Sequence, residues 1–503
     1  MKTATVIGAG FGGIATALRL RAKGYDVTLI DRCERVGGRA QVFQRDGYRH
    51  DAGPTVLTAP FLFTELFELF HRQIEQYVEI VPLDLWYRFE FPDGTRFDYG
   101  GDVQDTLAEI ARFSPKDQDG YLGLLEKSRQ IYELGFEQLA SRPFHSFASM
   151  AAQIPKMLSL GSYRTVWQLV AQYLTDWRLR RAFSVQPLLV GGNPYDTTSI
   201  YNLIHFLERK HGVHFAMGGT GALVDGLERL MREVGIKIRL NETVTKIHVA
   251  CDEVTGVTTD NLNFLDTDVV VSNADPAHLY DKLLPKQHSK LSARLKSKYA
   301  DKSMGLYVLF FGTEGKFPEV AHHTIWLGQQ YKNLLNDIFH KKVLSQDISI
   351  YLHRPTATDE SFAPSGHDSF YALVPVPNLE ADIDWNVEGK AMRDRVVAAL
   401  DRTILPGLSE TIRSDFWMTP ADFEQNYLSP AGAGFSISPH FTQSAWFRFH
   451  NRAEGPKNLF LVGAGTHPGA GLPGVLSSAK VVDSLVPSAG GFADSAQPLR
   501  VAE

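Results

Sequence analysis

The sequence predicts an α/β fold: a Rossmann-type nucleotide-binding domain interleaved with a mixed-sheet domain and a helical subdomain. Three observations predict it. A β-branched run at residues 4–7 enters Gly8-Ala9-Gly10-Phe11-Gly12-Gly13, then helical spacing, then a second strand ending on an acid. A short apolar strand at 458–462 enters another glycine-rich string, Gly463 to Val475, that feeds a helix. Between the two ends, strand-like and helix-like patterns alternate, as a sheet covered by helices requires.

The first segment is strand, G-x-G-x-x-G, helix, strand, acid, in the order of a dinucleotide-binding βαβ unit. Gly8 makes the tight turn, Gly10 lets backbone approach a pyrophosphate, and Gly13 lets helix and strand pack closely. The helix N-terminus offers free N–H groups and a positive dipole to phosphates. Asp31, at the end of the 26–30 strand, is placed to accept hydrogen bonds from a ribose. Arg35-Val36-Gly37-Gly38-Arg39 and Asp51-Ala52-Gly53-Pro54-Thr55 continue the motif along a long cofactor, an extension a nicotinamide enzyme does not need. The C-terminal string places helix amides (476–485) where they face an anionic ring edge, as a reduced flavin presents. Two such segments at opposite chain ends point to one long cofactor, FAD.

Further along, residues 58–70 form a phenylalanine-rich amphipathic helix candidate, and 81–99 read as hairpin strands turning at Asp93-Gly94. Helical patterns dominate 106–210. A helix at 221–234 precedes strands at 236–249, 254–257 and 268–272; strands at 304–311, 349–353 and 368–375 and a helix at 387–400 follow. The tail after Pro487 is rich in Ser, Ala and Gly and reads as frayed. No internal repeat is present.

Composition bounds the function. The 503 residues allow about three domains, and a hydrophobic fraction of 44% excludes a disordered or collagen-like chain. A net charge of −6 offers no basic field for nucleic acid. Two cysteines, Cys33 and Cys251, support neither a disulfide framework nor a cysteine-based metal site and fit a reducing cytosol; no metal is expected. No run is long enough to span a bilayer, and the N-terminal apolar stretch is a nucleotide motif rather than a signal peptide.

These motifs resemble the FAD-dependent amine oxidase and phytoene desaturase superfamily. Leu189-Val190-Gly191-Gly192-Asn193-Pro194, Gly218-Gly219-Thr220-Gly221-Ala222-Leu223 and the Gly463–Gly474 string narrow the resemblance to bacterial and fungal-type phytoene desaturases, over residues 1 to about 487. Asp31 stands where many relatives carry a glutamate. The resemblance implies a glutathione-reductase-like FAD-binding domain (1–57, about 215–300 and 450–487), a substrate-binding domain (about 58–105 and 301–449), a helical, membrane-facing lid (about 106–214) and a flexible tail (488–503). It implies FAD contacts from Gly8, Gly10, Gly12, Gly13, Asp31, Arg32, Gly38, Arg39, Gly53, Pro54, Thr55, Val244, Asn273, Gly463, Gly465, Thr466, Gly471, Pro473, Gly474 and Val475.

On the substrate side, residues 141–181 carry six basic residues against Asp176 alone and are dense in aromatics, among them Phe144, Phe147, Tyr163, Trp167 and Trp177. Basic-aromatic helices suit an anionic membrane surface; a solvated cationic face over core helices is the plain alternative. A hydrocarbon substrate taken from the bilayer favours the membrane, with 58–70 a further candidate for the entrance. His205 and Glu208 share a helix face as i and i+3 neighbours and read best as a surface pair. His467, inside the glycine string, is either a ring contact or a structural loop residue. Glu208 and His467 are the candidates for a catalytic base.

The implied activity is desaturation of phytoene (C40) towards neurosporene or lycopene, by hydride transfer to flavin N5 and proton loss. Oxygen or a quinone reoxidises the flavin, and the enzyme sits in the cytoplasm on the inner face of the cell membrane. Related flavoenzymes (a C30 dehydrosqualene desaturase, a 3,4-desaturase, an oxygenase or isomerase) and a non-catalytic GDP-dissociation-inhibitor-like lipid-binding protein are the alternatives.

Overall fold

The computed structural model describes residues 1–144, 150–151 and 153–490. Phe147 and the end of the tail lie outside them.

A five-stranded parallel sheet runs in the order Leu459–Leu461, Val269–Ser272, Thr3–Ile7, Asp26–Ile30, Lys237–Arg239. Its inner strands are short, largely buried apolar runs, which only a parallel sheet between helices can hide, while the edge strand Lys237–Arg239 is partly exposed. The N-terminal strand is central, and the C-terminal strand Leu459–Leu461 closes an edge. The helices that follow these two strands, Phe11–Ala22 and Leu472–Leu485, share one apolar core through Ile14, Leu18, Leu476, Ala479 and Val482. Arg19 and Lys23 pair with Asp483 at their far ends. Chain ends far apart in sequence thus form one layer.

The strand expected over 236–249 is two. Asn241 takes φ +53° and breaks it: Lys237–Arg239 joins the parallel sheet, while Val244–Ala250 turns into an antiparallel sheet with Glu253–Thr259 and Phe264–Asp266. The Asn241 and Glu242 N–H groups donate to the carbonyls of Cys33 and Asp31, which pins that break beside the nucleotide loops.

A seven-stranded mixed sheet has the order Ile412–Met418, Gly305–Glu314, His367–Val376, Ile350–His353, His323–Trp326, Leu85–Glu90, Arg96–Gly100. The hairpin at Asp93-Gly94 forms as expected, with Gly94 at φ +79°. The strands His323–Trp326 and Ile412–Met418 and the hairpin Val42–Arg45/Tyr48–Asp51 were not legible in the sequence. They are short and lack clean alternation.

Helices cover one end of this sheet, chiefly Val103–Phe113, Asp117–Tyr132, Val166–Tyr173 and Leu203–His211. Capping boxes at Asp102 and Thr165 fix the starts of two of them. The expected 58–70 helix spans Phe61–Glu68, and its Leu62, Phe63, Leu66 and Phe67 are buried in the nucleotide-domain core. That stripe is core rather than entrance. Among the described residues no helix is long and apolar enough to cross a membrane.

Candidate functional site

The two glycine loops meet. Gly8, at φ +93°, makes the turn out of the first strand, and its N–H donates to Ile30. A Cβ on Gly13 would stand 1.9 Å from the Gly8 carbonyl oxygen, so only glycine lets the helix approach the strand. Gly12 faces the other loop: its Cβ would lie 3.4 Å from the Gly463 Cα and 2.7 Å from Asn273 Oδ1. Asn273, at the end of the Val269–Ser272 strand, thus sits at the junction of both loops. Asp31 Oδ2 accepts the Ala9 N–H at 2.5 Å and Oδ1 accepts the Cys33 N–H at 2.8 Å. It ties the first loop to the second strand while each oxygen keeps a further lone pair. Burial and the Asp31 charge push the Cys33 thiol up to about 12, so it is inert.

Gly38 packs directly on Gly10 (a Cβ would be 2.9 Å from its Cα), which brings the 35–39 segment onto the first loop. The half-buried Arg39 guanidinium donates to Ser429 Oγ at 2.9 Å. Gly53 is at φ +131°, and Thr55 Oγ1 contacts the hydroxyls of Tyr371 (2.7 Å) and Tyr351 (3.0 Å). Asp51 caps the helix Gly219–Glu233, accepting the N–H groups of Thr220 (2.8 Å) and Gly221 (3.3 Å); burial nevertheless pushes its pKa up to about 6.

The C-terminal loop is held by residues sequence reasoning missed. Arg448, fully buried, donates to the carbonyls of Ala464 (2.6 Å), Thr466 (3.2 Å) and Ile437 (3.4 Å). Asn451 Nδ2 reaches Ser478 Oγ at 2.9 Å and the Leu461 and His467 carbonyls. Neither residue stands in a motif, so nothing in the sequence marked them. Gly471, at φ +90°, opens the Leu472–Leu485 helix, whose first residues face inward.

All this surrounds one continuous cavity of about 510 Å³. Gly8, Gly10, Gly12, Asp31, Arg32, Gly38, Arg39, Gly53, Pro54, Thr55, Val244, Asn273, Gly463, Gly465, Gly471, Pro473, Gly474 and Val475 line it; Gly13 and Thr466 stand behind its wall. The same cavity continues between apolar side chains, among them Phe136, Leu188, Leu203, Leu207, Leu306, Ile325 and Leu327. One end offers backbone amides and polar groups; the other is greasy.

Two expectations fail. His467 does not reach the cavity: its ring meets Phe144 edge-on at 4.8 Å and Nε2 bonds the Leu139 carbonyl, while burial pushes its pKa down to about 4. His205 and Glu208 are not a surface pair but are both buried. Their helix, Leu203–His211, is covered by Asp117–Tyr132 on one side and by the Leu85–Gly100 hairpin on another, a two-sided burial that i, i+3 spacing does not report. His205 is enclosed by Tyr99, Tyr121 and Phe183, and burial pushes its pKa down to about 3. Glu208 lines the cavity. Its Oε1 accepts the Tyr87 hydroxyl at 2.8 Å, and its Oε2 has no hydrogen-bond partner among the described residues. Burial pushes its pKa up to about 7, against the pull of Tyr87 and the nearby Arg209 charge.

Comparison with known proteins places this geometry. The flavin containing amine oxidoreductase family matches residues 11–482. The lycopene-forming phytoene desaturase of Pantoea ananas is 43% identical over 97% of this chain and 99% of its own. The neurosporene-forming phytoene desaturase of Rhodobacter capsulatus is 41% identical over 97% and 94%. Among solved structures, an oxidoreductase from Methanosarcina mazei superposes with a TM-score of 0.66 at 18% identity, covering 96% of this chain and all of that one, a likeness of fold. The chain therefore belongs to the flavin-containing amine oxidoreductases and, within them, to the phytoene desaturases: it is an FAD-dependent oxidoreductase.

Proposed function

We propose that this chain desaturates phytoene, a C40 polyene, in successive steps towards neurosporene or lycopene. One observation carries the reading: a single cavity has glycine loops and helix N-termini at one end and hydrocarbon walls at the other.

The donor set fits FAD. Gly10 and Gly12 would leave room for a pyrophosphate at the helix N-terminus, with Gly8 making the turn and Gly13 behind them letting the helix approach the strand; Asp31, Arg32 and Val244 would hold the ribose end. Gly38, Arg39, Asn273, Gly463 and Gly465 would flank the middle of the cofactor. Gly53, Pro54, Thr55, Gly471, Pro473, Gly474 and Val475 would enclose its ring, with Thr466 bracing the loop from behind. The parallel-sheet segments (1–57, about 215–300, 450–487) form the cofactor domain in this reading, and 58–105 with 301–449 the substrate domain.

When bound, FAD supplies the hydride acceptor. Loss of hydride from an allylic CH₂ leaves a cation spread over the adjoining polyene, and proton loss from the neighbouring carbon gives the double bond. Glu208 is the proton acceptor: it stands in the cavity wall, and Tyr87 holds one of its oxygens. Apolar walls exclude water and select register by shape alone. Such contacts discriminate weakly, by about 1–3 kcal/mol per methylene, which suits repeated reactions on one chain.

The substrate enters from a membrane. The helix Ile154–Ser159 buries none of its side chains. Leu158 and Tyr163 are 54% and 60% exposed beside Lys156 and Arg164, a greasy and basic surface matched to anionic lipid headgroups. Oxygen or a membrane quinone reoxidises the flavin, and the inner face of the cell membrane is its place of work.

Purified protein incubated with phytoene in liposomes, with and without FAD, tests the reading by chromatography. FAD-dependent appearance of longer conjugated products supports it. A flavin-loaded protein that leaves phytoene unchanged but converts a C30 or already desaturated substrate overturns it, as does a colourless protein that never takes up FAD.

A further inference from the structure

We infer that His322, His323 and His353 form a binding site for a divalent transition-metal ion of the zinc class, set in the seven-stranded sheet behind the cavity wall. His323 and His353 stand directly opposite each other on the antiparallel strands His323–Trp326 and Ile350–His353, and His322 immediately precedes the first of these. One ring nitrogen from each can be chosen so that all three lie within 4.8 Å of one another, and all three residues are buried.

The outer contacts fit this reading at two of the three rings, while both ring nitrogens of His353 have no hydrogen-bond partner among the described residues. His322 Nδ1 bonds Thr358 Oγ1 at 2.7 Å and His323 Nδ1 bonds the Tyr351 hydroxyl at 2.8 Å, while the Nε2 atoms of both have no hydrogen-bond partner among the described residues. A metal-ligating imidazole has this arrangement: one nitrogen held by a second group, the other free for the ion. Imidazole nitrogens without thiolate or carboxylate suit zinc, copper or nickel over calcium or magnesium. Three ligands leave a fourth position for water.

The site lies off the cavity wall but touches it through Tyr351, hydrogen-bonded to His323, and Tyr371, whose ring lies 5.0 Å from that of His353. An ion on His323 Nε2 places the ring proton on Nδ1, so that nitrogen donates to the Tyr351 oxygen. Tyr351 then donates to Thr55 on the cavity wall. The ion is thus a positioning element for Tyr351 and a clamp between two strands.

Full-length protein made without a polyhistidine tag, loaded with Zn²⁺ and desalted, should retain about one zinc per chain by elemental analysis. Co²⁺ in its place should give tetrahedral d–d absorption beyond the flavin bands. His353→Phe and His322→Gln should lose both signals while keeping the wild-type circular dichroism. Wild-type protein that retains no stoichiometric zinc and shows no cobalt bands overturns the proposal, as do folded variants that bind as the wild type does. If both variants misfold, the wild-type cobalt spectrum decides alone. Metal content is read independently of flavin and of turnover, so this result and the desaturase result stand or fall separately.

Discussion

Gly12 and Gly463 touch across the junction of the two glycine loops: a Cβ on Gly12 would lie 3.4 Å from the Gly463 Cα, 451 positions further along the chain. It would also meet Asn273 Oδ1 at 2.7 Å, inside contact distance. Gly12→Val is therefore expected to push the loops apart and weaken FAD retention by at least about tenfold, or 1.4 kcal/mol. The flavin-to-protein absorbance ratio after gel filtration measures it; a fully yellow variant refutes the account.

Glu208→Gln removes the proton acceptor but keeps shape and size. Turnover is expected to fall by about 10²–10⁴-fold, the usual scale for a positioned base, with flavin content unchanged. In the wild type the base must be ionised, so kcat should rise as pH passes through about 7.

The same group couples to stability, and the sign is opposite. Its pKa is raised from 4.5 to about 7 in the folded protein, so the stability present below 4.5 is lost as pH rises through about 7. The loss is on the order of 3 kcal/mol. Thermal melts of wild type and Glu208→Gln across this window should converge at low pH and separate above it, the variant being the more stable.

Tyr87→Phe removes the hydrogen bond that favours the Glu208 carboxylate. The rising limb of the rate profile should move to higher pH, with the plateau rate preserved. A limb that stays in place would mean that Glu208 does not govern it.

Leu158→Ser with Tyr163→Ser removes exposed apolar surface without touching the core. Co-sedimentation with anionic vesicles should drop several-fold, at about 25 cal/mol for each Å² of lost burial. Activity on phytoene in vesicles should fall with it, while flavin content stays constant.

Much of the site was legible because its chemistry dictates local sequence. A pyrophosphate needs close backbone approach and a helix N-terminus, and only glycines at fixed spacing supply that, so Gly8–Gly13 and Gly463–Gly474 announce themselves. The strands Thr3–Ile7, Asp26–Ile30 and Val269–Ser272 were equally plain, since a sheet buried on both faces favours short runs rich in β-branched and apolar residues.

What the sequence by itself determined is the cofactor, the fold class and the family, since these rest on contiguous motifs. The tertiary structure alone decided what long-range packing creates. It buried Glu208 beside Tyr87, residues 121 positions apart, and turned His467 away from the cavity. It also seated Arg448 under the C-terminal loop and gathered His322, His323 and His353 at the paired ends of two strands. Burial and pairing belong to surfaces that meet only on folding; helical or strand periodicity reports one face of one element, and a side chain enclosed from several sides looks the same in sequence as one in water.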